Sequence, residues 1–155
     1  MDALELLKTD HDKVKRLLTE LESTTERGVK TRHALFATIK GELTVHEIIE
    51  EEIFYPELKG NPKAKDIVLE AYEEHNVVDT LMRELESTPV EDETWGAKAK
   101  VMKENIEHHI EEEEGEMFKQ ARQVFDAAEL DDLGRRMEER KRSAMQDMGM
   151  AAPTR

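Results

Sequence analysis

His46-Glu47-Ile48-Ile49-Glu50-Glu51 and His109-Ile110-Glu111-Glu112-Glu113-Glu114 spell one pattern twice: a histidine with a glutamate four residues on. Each stretch is preceded by an acid–histidine pair, Asp10-His11 for the first and Glu74-His75 for the second, so the two halves lie about 64 residues apart. Residues four apart sit one above the other on a helix, ~6 Å apart, so His46 with Glu50 and His109 with Glu113 can each chelate from one helical face. Imidazole nitrogen and carboxylate oxygen are ligands that iron, manganese and zinc accept. Four histidines and two glutamates are too many for one open site. They suit a pair of metal ions.

Outward from the motifs, apolar residues recur at steps of three and four. The stripes are Leu4, Leu7, His11, Val14, Leu18, Leu21; then Leu35, Ile39, Leu43, His46, Glu50, Ile53. Two more are Val68, Tyr72, His75, Val78, Met82, Leu85, and Met102, Ile106, His109, Glu113, Met117. Such steps trace one face of a helix, so each of these histidines stands where a leucine would otherwise sit. One histidine in an apolar stripe is most often a core residue bonded to a carbonyl or a water. Four on separate helices change that reading. At ~1.5 Å per residue, the six side chains fall ~9 to ~20 Å from one end of the assembly, a single layer. Ionised glutamates in a core need a countercharge, and four imidazoles with two carboxylates make a good cation cage.

Proline, glycine and capping residues punctuate the chain. Asp2 is expected to cap a first helix running to about Thr24, and Thr31 a second that ends near Pro56. Asn61-Pro62 reads as a cap followed by proline at the first helical position, opening a third helix that stops by Ser87-Thr88-Pro89. Thr94 begins a fourth, to about Phe125. Connections of roughly five to eight residues join antiparallel neighbours. The expected fold class is therefore all-α, an up-down-up-down four-helix bundle over residues 1–125 with a short additional C-terminal helix. That helix, Glu129 to Met148, and a flexible tail make up residues 126–155. Its apolar members are Leu130, Leu133, Met137, Met145 and Met148. Its basic cluster, Arg135-Arg136 and Arg140-Lys141-Arg142 with Glu138 and Glu139 between, reads as a solvated face with ion pairs at helical spacing. Glu51, Glu52, Glu111, Glu112 and Glu114 are read the same way, as a solvated face.

Composition limits the function. The 155 residues suit one core, and few glycines and prolines favour helices. A formal charge of −14 argues against nucleic acid or an anionic membrane surface as partner. The absence of cysteine excludes disulfides, thiolate metal sites and thiol catalysis. No apolar stretch nears the ~20 residues that span a bilayer, and Met1-Asp2-Ala3-Leu4-Glu5 lacks the basic segment and apolar core of a signal peptide. The expectation is a soluble cytoplasmic protein with no obligate protein partner.

The pattern His, His-x3-Glu, His, His-x3-Glu resembles the hemerythrin-like, or HHE cation-binding, domain family over residues 1 to about 125. The run Glu50-Glu51-Glu52-Ile53-Phe54-Tyr55-Pro56 after His46 is similar to that family's paired glutamates, aromatic and proline, and Glu113-Glu114 to Met117-Phe118 is similar without the proline. The resemblance implies a bundle holding two non-heme irons bridged by an oxide or hydroxide and by two carboxylates. It implies His11, His46, His75 and His109 as terminal ligands and Glu50 and Glu113 as bridges.

One neutral ligand of the oxygen-carrying members is missing here, since the residue four after His75 is Asp79 and four before it is Ala71. Tyr55, His108, Glu47, Asp79 or water can take its place. His108 lies about 100° off its helical seam, which suits a supporting or surface role. Tyr55 also points away on an ideal helix. Pro56 disfavours α conformation at the residue before it, however, and that can redirect the ring. The alternative is an aromatic packed at the bundle end. An anionic donor favours ferric iron, and water leaves an open position; either moves the site from oxygen carriage toward hydrogen peroxide or nitric oxide. The leading reading is a di-iron, peroxide-consuming oxidoreductase, catalase-like or a nitric oxide peroxidase, with the metal centre itself as catalyst. The runner-up is a carrier or sensor of O2 or NO, or an iron-handling module.

Overall fold

The computed structural model describes residues 1–151 and contains helices but no strand among them. The helices are α1 (Ala3–Glu22), α2 (Val29–Ile49), α3 (Tyr55–Lys59), α4 (Lys65–Glu86), α5 (Trp95–Glu112), α6 (Phe118–Val124) and α7 (Ala127–Asp147). α2 with α3, and α5 with α6, are each continuous rods joined by a π-helical turn, Glu50–Phe54 in the first and Glu113–Met117 in the second. With α1 and α4 these rods form the expected all-α bundle, and α7 packs along α1 and α2 as the additional C-terminal helix. No helix among the described residues is long and apolar enough to cross a membrane. Of the expected flexible tail, residues 152–155 lie outside the described residues.

Local chemistry sets the boundaries. Asp2 accepts a hydrogen bond from the Glu5 amide while the Glu5 carboxylate accepts from the Asp2 amide, a reciprocal cap that starts α1. Asp126 and Glu129 start α7 in the same way. Thr31 does not cap α2, which starts after Gly28 without a side-chain cap. Arg32 holds that end instead, donating to Thr24 Oγ1 and the Val90 carbonyl with its guanidinium over the Trp95 ring. Nor does Asn61 cap the third long helix. Its side chain accepts from the Lys63 amide at 2.9 Å, closing a local turn that delays the helix to Lys65.

The second rod does not stop near Pro56 but continues to Lys59. Proline lacks an amide hydrogen and crowds the carbonyl four residues back. The π turn just before it absorbs that mismatch: the Tyr55 amide bonds the Glu50 carbonyl, five residues back. The Phe118 amide bonds the Glu113 carbonyl in the same way. Each π turn adds a residue and rotates the rest of its rod. Ile53, expected on the core stripe, is only partly buried, while Phe54 and Tyr55 are fully buried.

The core is split by the polar layer. One apolar cluster gathers Leu4, Leu7, Ile49, Phe54, Val68 and Met117. The other gathers Val14, Leu18, Leu43, Val78, Met82, Met102 and Ile106. α7 buries Leu130, Leu133, Met137 and Met145, but Met148 is exposed. Gly134 permits the close approach of α7 to the N-terminus, since a Cβ there would sit 2.4 Å from the Met1 carbonyl oxygen. The basic cluster of α7 is not merely a solvated face. Arg135 pairs with Asp132 and Glu139 on its own helix, whereas Arg136 reaches Glu57, Arg140 reaches Glu52, and Lys141 reaches Asp10. Docking turns these side chains toward the acidic rods, which local helical spacing does not reveal.

Candidate metal centre

His11, His46, Glu50, His75, His109 and Glu113 are all buried and converge between the two apolar clusters. The histidines form two pairs with edge-on rings, His11 with His46 at 4.8 Å between centroids and His75 with His109 at 5.0 Å. Each glutamate spans both pairs. Glu50 Oε1 lies 3.1 Å from Nε2 of His46 and 3.1 Å from Nε2 of His75. Glu113 reaches Nε2 of His11 at 3.1 Å through Oε1 and Nε2 of His109 at 3.3 Å through Oε2. Two carboxylates that each bridge the pairs match two cations, one per pair, better than one.

The outward nitrogen of every ring meets a carboxylate. His11 Nδ1 lies 2.7 Å from Glu114 and His75 Nδ1 2.8 Å from Glu51. His46 Nδ1 lies 3.0 Å from Asp10, and His109 Nδ1 2.6 Å from Glu74. A carboxylate only accepts, so each Nδ1 carries the hydrogen and each Nε2 presents a lone pair to the interior. His11 Nε2 and His46 Nε2 then face each other at 3.2 Å with no proton of their own to share. Glu50 Oε2, Glu113 Oε1 and His109 Nε2 are buried without a hydrogen-bond partner. Buried lone pairs aimed at one another require a positive charge among them. The donor set fits divalent or trivalent metal ions.

Electrostatics agree. Burial opposes charge on His75, but Glu50 and Glu51 outweigh it and raise its pKa to about 9. Burial likewise opposes charge on His109, and Glu113 and Glu74 bring it to about 10. His46 is held well above its usual value by Glu50 and Asp10 despite burial. Glu113, against the effect of burial, is held well below the usual carboxylate range by its contacts with Glu50 and with the imidazoles of His109 and His11. The pocket is an anionic cage that holds cations, whether protons or metal.

Tyr55 stands inside this layer and is fully buried. Its hydroxyl donates to Glu113 Oε2 at 2.6 Å and lies 3.2 Å from His75 Nε2. Burial and the charges of Glu113 and Glu50 push its pKa well above the usual tyrosine value, so its ionisation requires a neighbouring cation. The ring is not redirected by an exit from α conformation: Tyr55 keeps φ −63° and ψ −44°. In an α-helix a residue five on from Glu50 is turned ~140° away, and the π turn brings it back toward that face.

The other residues weighed for the missing ligand lie elsewhere. His108 is exposed and pairs with Glu112 at 3.1 Å. Glu47 is buried outside the ring of Nε2 atoms, grouped with Glu51 and His75. Burial and the Asp79 carboxylate push its carboxyl up to about 9.

Glu51 and Glu114 correct the solvated-face reading, since both orient histidines. The π turns rotate them toward α4 and α1. Asp10 and Glu74, which carry the same duty, had a signal in the sequence: an acid precedes the first histidine of both halves.

Fold and side chains together define a helical-bundle protein built to hold metal cations. The sequence matches the hemerythrin HHE cation binding domain across residues 2–121, and the chain belongs to that family. It is 31% identical over 141 residues to the uncharacterized protein Rv2633c of Mycobacterium tuberculosis, covering 88% of this chain and 83% of that one. The uncharacterized protein Mb2666c of Mycobacterium bovis matches with the same figures. In three dimensions it is similar to the crystal structure of a hemerythrin HHE cation binding domain-containing protein, the Rv2633c homolog from Mycobacterium kansasii. The TM-score there is 0.83 at 29% identity, covering 99% of this chain and 95% of that one.

Proposed function

We propose that this chain is a cytoplasmic di-iron protein that consumes hydrogen peroxide, by disproportionation or by using it to oxidise a small molecule such as nitric oxide. The observation that carries this reading is the Tyr55 hydroxyl, 3.2 Å from His75 Nε2 and 2.6 Å from Glu113, on one side of the centre only. His11, His46, His75, His109, Glu50 and Glu113 would hold two irons bridged by an oxide or hydroxide, with Tyr55 as the added donor on the His75–His109 side. Irons so held supply the redox chemistry that peroxide requires. A phenolate is a hard anionic donor and favours the ferric state, which disfavours reversible oxygen carriage. The outer carboxylates Asp10, Glu51, Glu74 and Glu114 fix each ring and raise its basicity. With the −14 charge, small neutral molecules suit this site better than nucleic acid or an anionic membrane.

A second reading, a carrier or sensor of O2 or NO, has one observation in its favour. A cavity of about 20 Å³ lies against all four histidines and is otherwise lined mainly by Val14, Leu43, Val78, Ile106 and Ile110. Apolar and small, it suits a diatomic molecule. One assay separates the two: the iron-loaded ferric protein is expected to evolve oxygen from peroxide. A reversible oxygenated colour from the ferrous protein, with no peroxide turnover, would overturn the enzymatic reading.

A further inference from the structure

Two cavities meet at one carboxyl group. The outer one, about 400 Å³, opens between α2 and α4, and Lys40, Glu47, Glu51, Asp79 and Arg83 are among its walls. The inner one is the small apolar cavity over the histidines, and Glu47 lines it too. Glu47 is only 8% exposed, and its Oε2 has no hydrogen-bond partner. Asp79 lines the same outer cavity, close enough to raise the pKa of the Glu47 carboxyl. An oxygen of Glu47, an oxygen of Glu51 and a ring nitrogen of His75 lie within 4.8 Å of one another.

The internal repeat shows that this acidic group is not needed to hold a histidine. Ile110 occupies the place of Glu47 in the second half, and Lys15 occupies the first-half place equivalent to Asp79. Glu114, the counterpart of Glu51, orients His11 with Lys8 close by and no such acids around it. Other acids on the outer wall are neutralised: Glu52 by Arg140 and Glu86 by Lys40. Arg83 turns to Thr80. Among the described residues, no lysine or arginine pairs with Glu47 or Asp79.

We propose that Glu47, Glu51 and Asp79 form a third, water-accessible site for a divalent cation, through which iron passes between the outer cavity and the histidine cage. Three carboxylates are hard oxygen donors of the kind that Mn2+, Fe2+ and Mg2+ take. Glu51 can serve both neighbours, one oxygen accepting from His75 Nδ1 while the other faces the cavity. A partly hydrated ion fits the outer volume, and it would supply the positive charge that Glu47 and Asp79 lack, since Glu52 and Glu86 already have theirs. The transit role rests on the metal-centre reading; the cation site itself does not.

The test is a titration of the metal-loaded protein with Mn2+, following free Mn2+ by its electron paramagnetic resonance signal. One additional Mn2+ per chain is expected, lost in both Glu47→Gln and Asp79→Asn and retained in Glu86→Gln. A wild type that binds no additional Mn2+, or variants that bind it equally well, overturns the site and leaves Glu47 and Asp79 as a proton-sharing pair. Release of iron to a ferrous chelator tests the transit role. Glu47→Gln is expected to slow it several-fold at unchanged iron content, and an equal rate overturns transit. Iron content is measured separately, and the Mn2+ result is read as the difference between wild type and the Glu47→Gln and Asp79→Asn variants at equal cage occupancy. A chain that holds no iron therefore contradicts the di-iron reading and leaves that difference to decide the cation site.

Discussion

Tyr55 and Phe118 stand at equivalent places in the two halves, each just past a π turn opened by a buried glutamate. Only Tyr55 brings an oxygen into the metal layer, 2.6 Å from Glu113, while Phe118 stacks against His11 with ring centroids 6.3 Å apart. The cage is thus near-symmetric with one asymmetric hydroxyl, and that asymmetry can be removed.

Tyr55→Phe makes the halves alike while nearly preserving ring volume. The variant is expected to stay folded, at a cost of about 1–3 kcal/mol for the donor withdrawn from buried Glu113, and to keep its iron through the six remaining ligands. Its ferric spectrum should lose a visible phenolate-to-iron band, its reduction potential should rise, and peroxide turnover should change. An unaltered spectrum and rate would make Tyr55 a packing residue.

Much of this was legible in the residues. The stripes around His11, His46, His75 and His109 place four helices and their common layer, because burial and helical period act on sequence locally. The π turns were not legible. The first reconciles Pro56 with a helix that continues past it, and the second forms with no proline near it, so the shifts in phase of Ile53, Tyr55, Glu51 and Glu114 have no single local signal in the sequence. The ion pairs of α7 were hidden likewise: Lys141 meets Asp10 across 131 residues of chain.

The carboxylates behind the rings are expected to matter to the metal. Glu114→Ala and Glu74→Ala leave His11 and His109 without an acceptor for Nδ1–H, and each should weaken metal binding on the order of 10–100-fold. Glu111→Ala, on the exposed face, should leave affinity unchanged. Competition against a chelator of known strength measures all three, and equal affinities would show these acids to be bystanders.

Lys141 anchors only one half. Its Nζ lies 2.5 Å from Asp10, which accepts from His46. Lys141→Ala should cost about 1–3 kcal/mol and lower the Tm by roughly 2–12 °C. It should also perturb the spectrum of the ion on the His11–His46 side. An unchanged melt would show that α7 docks through its apolar residues alone.

Stability of the metal-free chain should fall as pH rises. His75 and His109 have folded pKa values raised to about 9 and about 10, above the ordinary 6.5. Their contribution is complete below pH 6.5 and is lost as pH climbs through 9–10. Glu47, raised from 4.5 to about 9, acts in the same direction. In the loaded protein metal replaces the protons of His75 and His109, so the decline should shrink to the part that Glu47 carries. Urea midpoints of both forms between pH 6 and pH 10 check this, and a flat metal-free profile would contradict the raised values.

Everything proposed for the centre depends on two bridged pairs of histidines holding two irons. Metal analysis of the chain reconstituted with ferrous iron under reducing conditions decides it. Two irons per chain are expected, and saturation at one metal ion, or uptake of zinc alone, would contradict the di-iron centre.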